Sequence, residues 1–155
     1  MSAVNLPQAI ADAAADSIPE GGPRFQVTAE GRARELRADA CEEALSIATE
    51  ALRNAARHSG AALVEALVSY QRSGLTVIVQ DDGKGIDPAL VSSGSREGHY
   101  GLVGMRERAE RIGGRLAVRS RDGAGVEVSL FVPAARAFAD HAARFRFWRQ
   151  TGTGS

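Results

Sequence analysis

The strongest constraint on the fold of this chain is a long amphipathic helix pattern that leads directly into two apolar strands. Between Asp39 and Gly60, small and apolar residues recur at helical spacing, which predicts a helix with Asp39 as its N-cap and Gly60 at its end. Residues 61–70 and 75–80 are apolar segments joined by a short polar stretch that suits a hairpin turn. The predicted apolar stripe of the helix is Cys41, Ala44, Leu45, Ala48, Ala51, Leu52 and Ala55.

A second helix and a second hairpin follow later in the chain. Residues 102–112 have helical periodicity and are followed by Gly113, which is a typical residue for a helix C-terminus. Residues 115–120 and 126–132 alternate between apolar and polar, so each predicts a strand with one buried face. The glycine-containing stretch between them predicts the turn of the hairpin.

The N-terminal part completes the pattern. Residues 5–17 predict a short helix, and residues 25–27 and 33–36 predict one or two short strands. Strands interleaved with a few long helices predict an α/β (α+β) two-layer sandwich. In this fold class a mixed, mainly antiparallel sheet carries its helices on one face.

Composition excludes several classes of protein. Lys and Arg together number 19, and so do Asp and Glu, so no basic field is present to attract nucleic acid. The single cysteine, Cys41, excludes an internal disulfide and is interpreted as a core residue. No run approaches the roughly 20 apolar residues of a membrane span. We expect one domain over residues 1–133, followed by an aromatic and basic tail over 134–155. The tail is interpreted as a helix on its own domain, a disordered segment or a partner surface.

The segment QDDGKGI, residues 80–86, lies where the apolar strand over residues 75–80 ends. The strand delivers Asp81 to the edge of the sheet, and Gly83 and Gly85 let the backbone turn and approach a ligand closely. An ordinary Asp-Gly turn fits the same residues. The segment alone therefore leaves both interpretations open.

Four polar residues of the long helix, Glu50, Asn54, Arg57 and His58, share one face at helical spacing. Periodicity alone fits a solvated surface. The chemistry also fits a phosphate site, because a carboxylate can orient a nucleophile, an amide oxygen can bind Mg²⁺ and a cation can neutralise phosphate.

Glycines also punctuate residues 98–104, GHYGLVG, directly before the second helix. Unpaired N–H groups at a helix N-terminus favour an anion, and phosphate is the natural candidate. The spacing matches neither a P-loop nor a dinucleotide fingerprint, so a plain flexible loop fits as well. Similarly, Gly123-Ala124-Gly125 fits a simple hairpin turn or a close backbone approach to a nucleotide.

Taken together, four segments resemble one family in order and spacing. TEALRNAARHS (49–59), DDGKGI (81–86), GHYGLVGMRER (98–108) and DGAGVEVSL (122–130) are similar to the N, G1, G2 and G3 boxes of bacterial sensor histidine kinases. These boxes belong to the ATP-binding catalytic domain, and the wider superfamily includes the ATPase domains of DNA gyrase, Hsp90 and MutL. The form of the G2 box is similar to the subgroup whose response regulators carry a helix-turn-helix output domain.

The resemblance implies a role for each matching position. Glu50 would orient or activate the attacking group, Asn54 would hold Mg²⁺ at the phosphates, and Asp81 would accept a hydrogen bond from the adenine amino group, with Asp82 as a solvent-side neighbour. Residues 92–101 would form a lid over ATP. The implied ATP-binding positions are Asn54, Arg57, His58, Asp81, Gly83, Gly85, Ile86, Tyr100, Gly101, Leu102, Val103 and Val126. Two of them depart from the family pattern, because Arg57 replaces the usual Lys and Val126 replaces a common Thr.

The resemblance also implies partners that this sequence does not contain. His58, His99 and His141 do not fit a phospho-acceptor histidine, so the acceptor is expected on dimerisation helices outside the chain. The other implied partner is a response regulator with a helix-turn-helix output domain, and no nucleic acid is expected. The parent protein is expected to be a homodimeric membrane sensor with this domain in the cytoplasm.

Three alternatives are compatible with the same boxes but fit less well. A nucleotide-gated clamp of the gyrase or Hsp90 type would need a transducer domain with a phosphate-contacting Lys. A non-catalytic binding module would not need Glu50, Asn54 and Asp81 together. An anti-sigma-factor serine kinase is disfavoured by the form of the G2 box.

Overall fold

Helical periodicity and strand alternation produce nine elements in the computed structural model, which describes residues 4–58, 60–84, 101–121 and 124–140. The helices of the described ranges are α1 (Leu6–Ser17), α2 (Ala38–His58), α3 (Leu102–Arg111) and α4 (Ala134–Ala137). The strands are β1 (Arg24–Glu30), β2 (Leu63–Tyr70), β3 (Gly74–Asp81), β4 (Arg115–Arg121) and β5 (Gly125–Pro133). Both predicted hairpins and the three predicted helices are present at nearly the predicted bounds.

The five strands form one sheet in the order β1-β2-β3-β5-β4. β1 and β2 pair in parallel across the long connection that contains α2, and the other three pairs are antiparallel. The predicted mixed, mainly antiparallel sheet is therefore confirmed. Strand β3 is central, so the residue at its end, Asp81, lies in the middle of the sheet edge.

The core lies between the sheet and the helices on one of its faces. Alternate residues of β2, β3 and β5 point into this layer, where they meet apolar side chains of α1, α2 and α3. Polar side chains such as Glu65 and Gln80 point from the other face to solvent. The predicted two-layer sandwich is confirmed. The largest fully buried side chains include Leu6, Ile10, Ile47, Leu52, Leu75, Leu102, Met105, Ile112, Leu130 and Phe138.

Two predictions before α2 are wrong. Helix α2 begins at Ala38, so Asp39 lies in its first turn and is not its N-cap; the Asp39 carboxylate accepts the N–H of Ala40 at 2.9 Å. The helix starts early because the carbonyl of Arg37 already accepts the N–H of Cys41 at 2.9 Å. Residues 33–36 form no strand and contribute only an isolated bridge at Leu36.

The partner of this bridge is the segment just after the sheet, residues 134–140. Leu36 pairs with Phe138, the N–H of Arg37 donates to the carbonyl of Ala137 at 2.8 Å, and Ala139 donates to Glu35 at 2.9 Å. The Phe138 side chain is only 1% exposed. Packing of the domain therefore continues beyond residue 133 as far as residue 140. A helical turn on its own domain, one of the interpretations of the tail, accounts for α4.

Cys41 is buried on α2, as predicted for a core residue. Burial raises the pKa of its thiol, which disfavours the thiolate. No helix in the part of the chain that the structure describes is both long and apolar enough to cross a membrane.

Candidate functional site

The described residues that were predicted to bind a ligand lie on three elements that pack together, α2, α3 and the sheet. Strand β3 carries Asp81 to the sheet edge, α2 carries Glu50, Asn54 and Arg57, and α3 begins beside α2 after Gly101. This arrangement follows from the fold, because α2 packs across β3 and β5 and also contacts α3.

Asp81 has a half-buried carboxylate held in place by the backbone. Its Oδ1 accepts the N–H of Gly83 at 2.8 Å, and the N–H of Val126 is a second backbone donor to the carboxylate. Burial raises the pKa of Asp81, the charge of Asp82 adds to this, and the two backbone donors act in the opposite direction. A carboxylate fixed in this way at a strand end can accept a hydrogen bond from an N–H group of a ligand.

Asp82 is exposed, as expected for a solvent-side neighbour, but its carboxylate accepts hydrogen bonds from the backbone. Its Oδ1 accepts the N–H of Ala62 at 2.8 Å and the N–H of Leu63 at 3.0 Å. The hydrogen bonds from Leu63 and Ala62 lower the pKa of the Asp82 carboxyl. The two adjacent aspartates therefore hold different parts of the chain. Sequence analysis missed this second contact, because its partners lie about twenty positions earlier in the chain.

Gly125 packs directly against the backbone of Asp81. It has a positive φ of 89°, and a Cβ at this position would lie 1.9 Å from the Asp81 carbonyl oxygen. The segment Gly123-Ala124-Gly125 joins the antiparallel strands β4 and β5, as the hairpin interpretation requires. Gly125 approaches the chain's own Asp81 closely, and an approach to a nucleotide stays a prediction. Val126, which follows, lies on β5 with a partly buried side chain.

The face of α2 that carries the four predicted polar residues is only partly exposed to solvent. Glu50 and Asn54 are half-buried, Arg57 is exposed, and His58 is the last residue of the helix. The Glu50 Oε2 lies 3.9 Å from the Arg53 guanidinium, one turn along the helix. Arg53 is a neighbour that sequence analysis did not single out, and its i, i+3 spacing from Glu50 is the signal that could have found it.

The start of α3 lies against Glu50. Gly101, its N-cap, has a left-handed conformation with φ 63°, and a Cβ there would lie 2.7 Å from Glu50 Oε1. Gly101 itself offers no side chain to cap the helix, and the N–H groups of a first helical turn favour an anion. The side chain of Leu102 is buried in the core, whereas Val103 is 45% exposed.

A cleft of about 480 Å³ opens between α2 and α3 next to this contact. The described residues that line it are Leu45, Ser46, Thr49, Glu50, Arg53, Gly101, Gly104, Met105 and Arg108. A smaller cavity of about 310 Å³ borders Asp81, Gly125 and Val126. Gln80, Arg119 and Glu127 also line the smaller cavity, so it extends to the open face of the sheet, and the described residues that line it are not shared with the cleft beside Glu50.

The contact between Gly101 and Glu50 predicts opposite effects for two glycine substitutions in this region. Gly101→Ala is expected to destabilise the domain by about 1–2 kcal/mol, because an alanine disfavours a left-handed backbone and its Cβ would displace Glu50. Gly104→Ala, within α3 and with no atom within 4 Å of its Cβ, is expected to stabilise by about 0.5–1 kcal/mol. Thermal denaturation followed by circular dichroism would measure both. Equal effects of the two substitutions would contradict a special role for Gly101.

Some of the predicted positions lie outside the described residues. These are Gly85, Ile86 and Tyr100, together with all of the predicted lid before Gly101; the side chain of His58 also lies outside the description. Among the described residues, no cluster of three or more His, Cys, Asp or Glu side chains could hold a metal ion. The magnesium role predicted for Asn54 would not require such a cluster, because Mg²⁺ is usually held by one or two protein ligands together with phosphate and water.

Several sensor kinases are similar to this chain over just over half of its length. The chain is 34% identical over 84 residues to the signal transduction histidine-protein kinase/phosphatase DegS of Brevibacillus brevis, covering 54% of this chain and 21% of that protein. It is 39% identical over 90 residues to the nitrate/nitrite sensor protein NarX of Escherichia coli, covering 57% and 14%. It is 40% identical over 87 residues to the sensor histidine kinase LiaS of Bacillus subtilis, covering 56% and 23%. The matched region is thus about a quarter or less of each relative.

The fold is similar to that of solved histidine kinase domains. A histidine kinase domain from the blue-light activated histidine kinase EL346 of Erythrobacter litoralis superimposes with a TM-score of 0.70 at 20% identity, covering 84% of this chain and 60% of that one. A family profile described as "Histidine kinase-, DNA gyrase B-, and HSP90-like ATPase" matches residues 42–136, which include Glu50, Asp81 and Gly125. The chain therefore belongs to the family of histidine kinase-, DNA gyrase B- and HSP90-like ATPases.

Proposed function

We propose that this chain is the ATP-binding catalytic domain of a two-component sensor histidine kinase. In this role it binds Mg-ATP and transfers the γ-phosphoryl group to a histidine on dimerisation helices that the sequence does not include. The observation that carries the proposal is the half-buried Asp81 carboxylate, oriented by the N–H groups of Gly83 and Val126 at the end of the central strand.

The nucleotide would lie between the end of β3 and the last turns of α2. Asp81 accepts a hydrogen bond from the adenine amino group, which is present in adenine and is replaced by a carbonyl in guanine. Asn54 offers an amide oxygen, a ligand type that Mg²⁺ accepts, and the bound ion neutralises phosphate charge. Arg57 is exposed at the same end of α2, where its fixed charge favours a phosphate group. Val126 contributes its backbone N–H to Asp81, although it lacks the hydroxyl of the family's common Thr.

The chemical step transfers one phosphoryl group between two nucleophiles. The bond between the γ-phosphorus and the bridging oxygen breaks, a bond from an imidazole nitrogen to phosphorus forms, and ADP leaves with the electron pair. The role proposed for Glu50 is to orient the attacking imidazole and to attract its proton, and its position against the start of α3 supports this role. Catalysis of this kind depends mainly on positioning and charge neutralisation.

The other partners follow from the same proposal. The phosphorylated histidine would serve a response regulator with a helix-turn-helix output domain. The dimerisation helices would make the parent protein a homodimer, and this domain would lie in the cytoplasm beneath a membrane sensor. The relatives with sensor kinase names support this organisation, although the match covers only a small part of each.

Binding and phosphoryl transfer can be tested separately. The chain is expected to bind a non-hydrolysable ATP analogue in titration calorimetry, and more tightly with Mg²⁺ than without. Asn54→Ala should remove most of the magnesium dependence, because it removes the proposed amide ligand. The matched control is Gln80→Ala, an amide truncation on the open face of the sheet. Absence of binding by the parent chain with Mg²⁺ would reject the proposed function.

Phosphoryl transfer requires the acceptor to be supplied. When a histidine-bearing helical hairpin from a related kinase is added, labelled phosphate from ATP is expected on the hairpin. Glu50→Gln should reduce the rate by about a hundredfold or more while analogue binding is kept. Label on this chain in the absence of the hairpin would contradict the expectation that the acceptor lies elsewhere.

A further inference from the structure

We propose that Asp82 is a positioning residue of the nucleotide site, which fixes the chain leaving α2 relative to the loop that carries Asp81. The inference rests on the proposed function, because it concerns how that site is held in shape. It starts from one atom, Asp82 Oδ1, which accepts the N–H groups of both Ala62 and Leu63, at 2.8 and 3.0 Å. The second oxygen of Asp82 takes part in neither bond.

The backbone of Asp82 strengthens the same link. Its N–H donates to the carbonyl of Leu63 at 3.3 Å, which extends the ladder between β2 and β3 by one residue beyond the pair Val64 and Asp81. On the other side, the carbonyl of Ala62 accepts the N–H of Arg24 at the start of β1. Residues 62 and 63 are therefore held between β1 and Asp82.

This link is important because the connection from α2 to β2 is short. α2 ends at His58 and β2 begins at Leu63, and Gly60, between them, has a positive φ of 65°. A connection of this length cannot absorb a displacement without passing it to the helix end. The last turns of α2 carry Asn54 and Arg57, the residues proposed for the phosphate end of the nucleotide.

The two aspartates thus act at opposite ends of one ligand. The Asp81 carboxylate accepts the N–H of Gly83 and is proposed to bind the base, whereas the Asp82 carboxylate accepts the N–H groups of residues 62 and 63, which lead back to the end of α2. Since binding a rigid ligand at two ends requires a fixed distance between them, a displacement of the α2 end should weaken ATP binding without any change in a contacting residue.

The simpler possibility is that Asp82 only caps the start of β2 and adds general stability. The two roles predict different results. A cap that acts only on stability would lower the melting temperature of an Asp82 variant but leave the affinity of its folded molecules unchanged. A positioning residue would change the affinity at temperatures well below melting.

Two substitutions separate the hydrogen bonds from the charge. Asp82→Asn keeps one carbonyl oxygen that can accept both N–H groups, and Asp82→Ala keeps none. In titration calorimetry with a Mg-bound ATP analogue, we expect Asp82→Ala to bind about three- to tenfold more weakly than the parent chain. We expect Asp82→Asn to bind within about twofold of the parent.

Amide hydrogen exchange gives a readout that needs no nucleotide. In Asp82→Ala, the amides of Ala62 and Leu63 and those of the last turn of α2 are expected to exchange faster than in Asp82→Asn. Unchanged exchange in the last turn of α2, or equal ATP affinities for the two variants, would overturn the proposal. If the parent itself binds no analogue, the proposed function fails, and the exchange pattern still decides whether Asp82 holds the connection.

Discussion

Asp81→Asn is expected to lose adenine-nucleotide binding while the fold is kept. An amide has one accepting oxygen, whereas the carboxylate has two. If the Asn oxygen accepts the N–H of Gly83, as Oδ1 of Asp81 does at 2.8 Å, the amide NH₂ faces the other donors, Val126 N–H and the adenine amino group. If the amide turns over, Gly83 loses its acceptor instead. Either orientation leaves a donor unsatisfied, so affinity should fall by about tenfold to a hundredfold.

The same substitution is expected to leave the domain folded at neutral pH, because the loss of one backbone hydrogen bond is offset by removal of a half-buried charge. Burial raises the folded-state pKa of Asp81 above the unfolded value of about 3.9. The folded protein therefore binds this proton more tightly, and the stability that the group contributes decreases as pH rises from about 4 through the raised pKa. Ionised Asp81 costs stability above that window, and the uncharged Asn removes the cost. The melting temperature of Asp81→Asn relative to the parent should therefore be higher at neutral pH than near pH 4.

Titration calorimetry with ATP and ITP analogues would test the adenine contact directly, since inosine has a carbonyl in place of the amino group. The parent should prefer ATP, and Asp81→Asn should lose most of that preference. Asp82→Asn is the matched control, because it removes the neighbouring charge but keeps an acceptor for Ala62 and Leu63. An unchanged ATP preference in Asp81→Asn would reject Asp81 as the residue that reads the base.

The sheet and its helices could be predicted from the sequence because each depends on local patterns. Val128 and Leu130 alternate with polar residues on β5, and Ala44, Ala48 and Ala51 repeat on one side of α2, so the period alone identifies these buried faces. The parallel pairing of β1 with β2 and the bridge of Leu36 with Phe138 were not predicted. Both join segments that are far apart in the chain, and periodicity carries no information about such partners.

The candidate site also combines residues that local patterns identify with contacts that they do not predict. Asp81 could be singled out because it ends an apolar strand two residues before a glycine, and Glu50 and Asn54 because they share a helix face. The contact of Gly101 with Glu50, that of Gly125 with Asp81 and the two bonds of Asp82 depend on how separate elements meet. The residues that position the candidate site can therefore be identified only from the folded structure. Those proposed to contact a ligand can be identified from local sequence patterns.

Phe138→Ala is expected to cause a large loss of stability, although residue 138 lies beyond the predicted domain boundary. The ring is 1% exposed, and the guanidinium of Arg34 lies 3.8 Å from its centroid. Arg34 in turn forms a salt bridge to Asp140 at 2.7 Å. Removal of a buried Phe side chain costs about 3–5 kcal/mol, which is a large part of the roughly 5–15 kcal/mol that keeps a typical domain folded.

Urea denaturation would measure the free energy of unfolding of Phe138→Ala and Phe131→Ala. The substitution is the same, but the two side chains differ in burial. Phe131 lies on the open face of the sheet and is only partly buried, so its loss should cost about 1 kcal/mol. Similar costs at the two positions would contradict a core role for Phe138.

Phe138→Ala should also loosen the start of α2, the helix that carries Glu50, the proposed catalytic residue. Arg37 connects the two, because its N–H donates to Ala137 while its carbonyl accepts the N–H of Cys41 in the first turn of α2. Loosening of residues 137–139 should therefore increase hydrogen exchange at the Cys41 amide, whereas Phe131→Ala should not. If exchange at Cys41 is equal in the two variants, residues 134–140 stabilise the core without holding the start of α2.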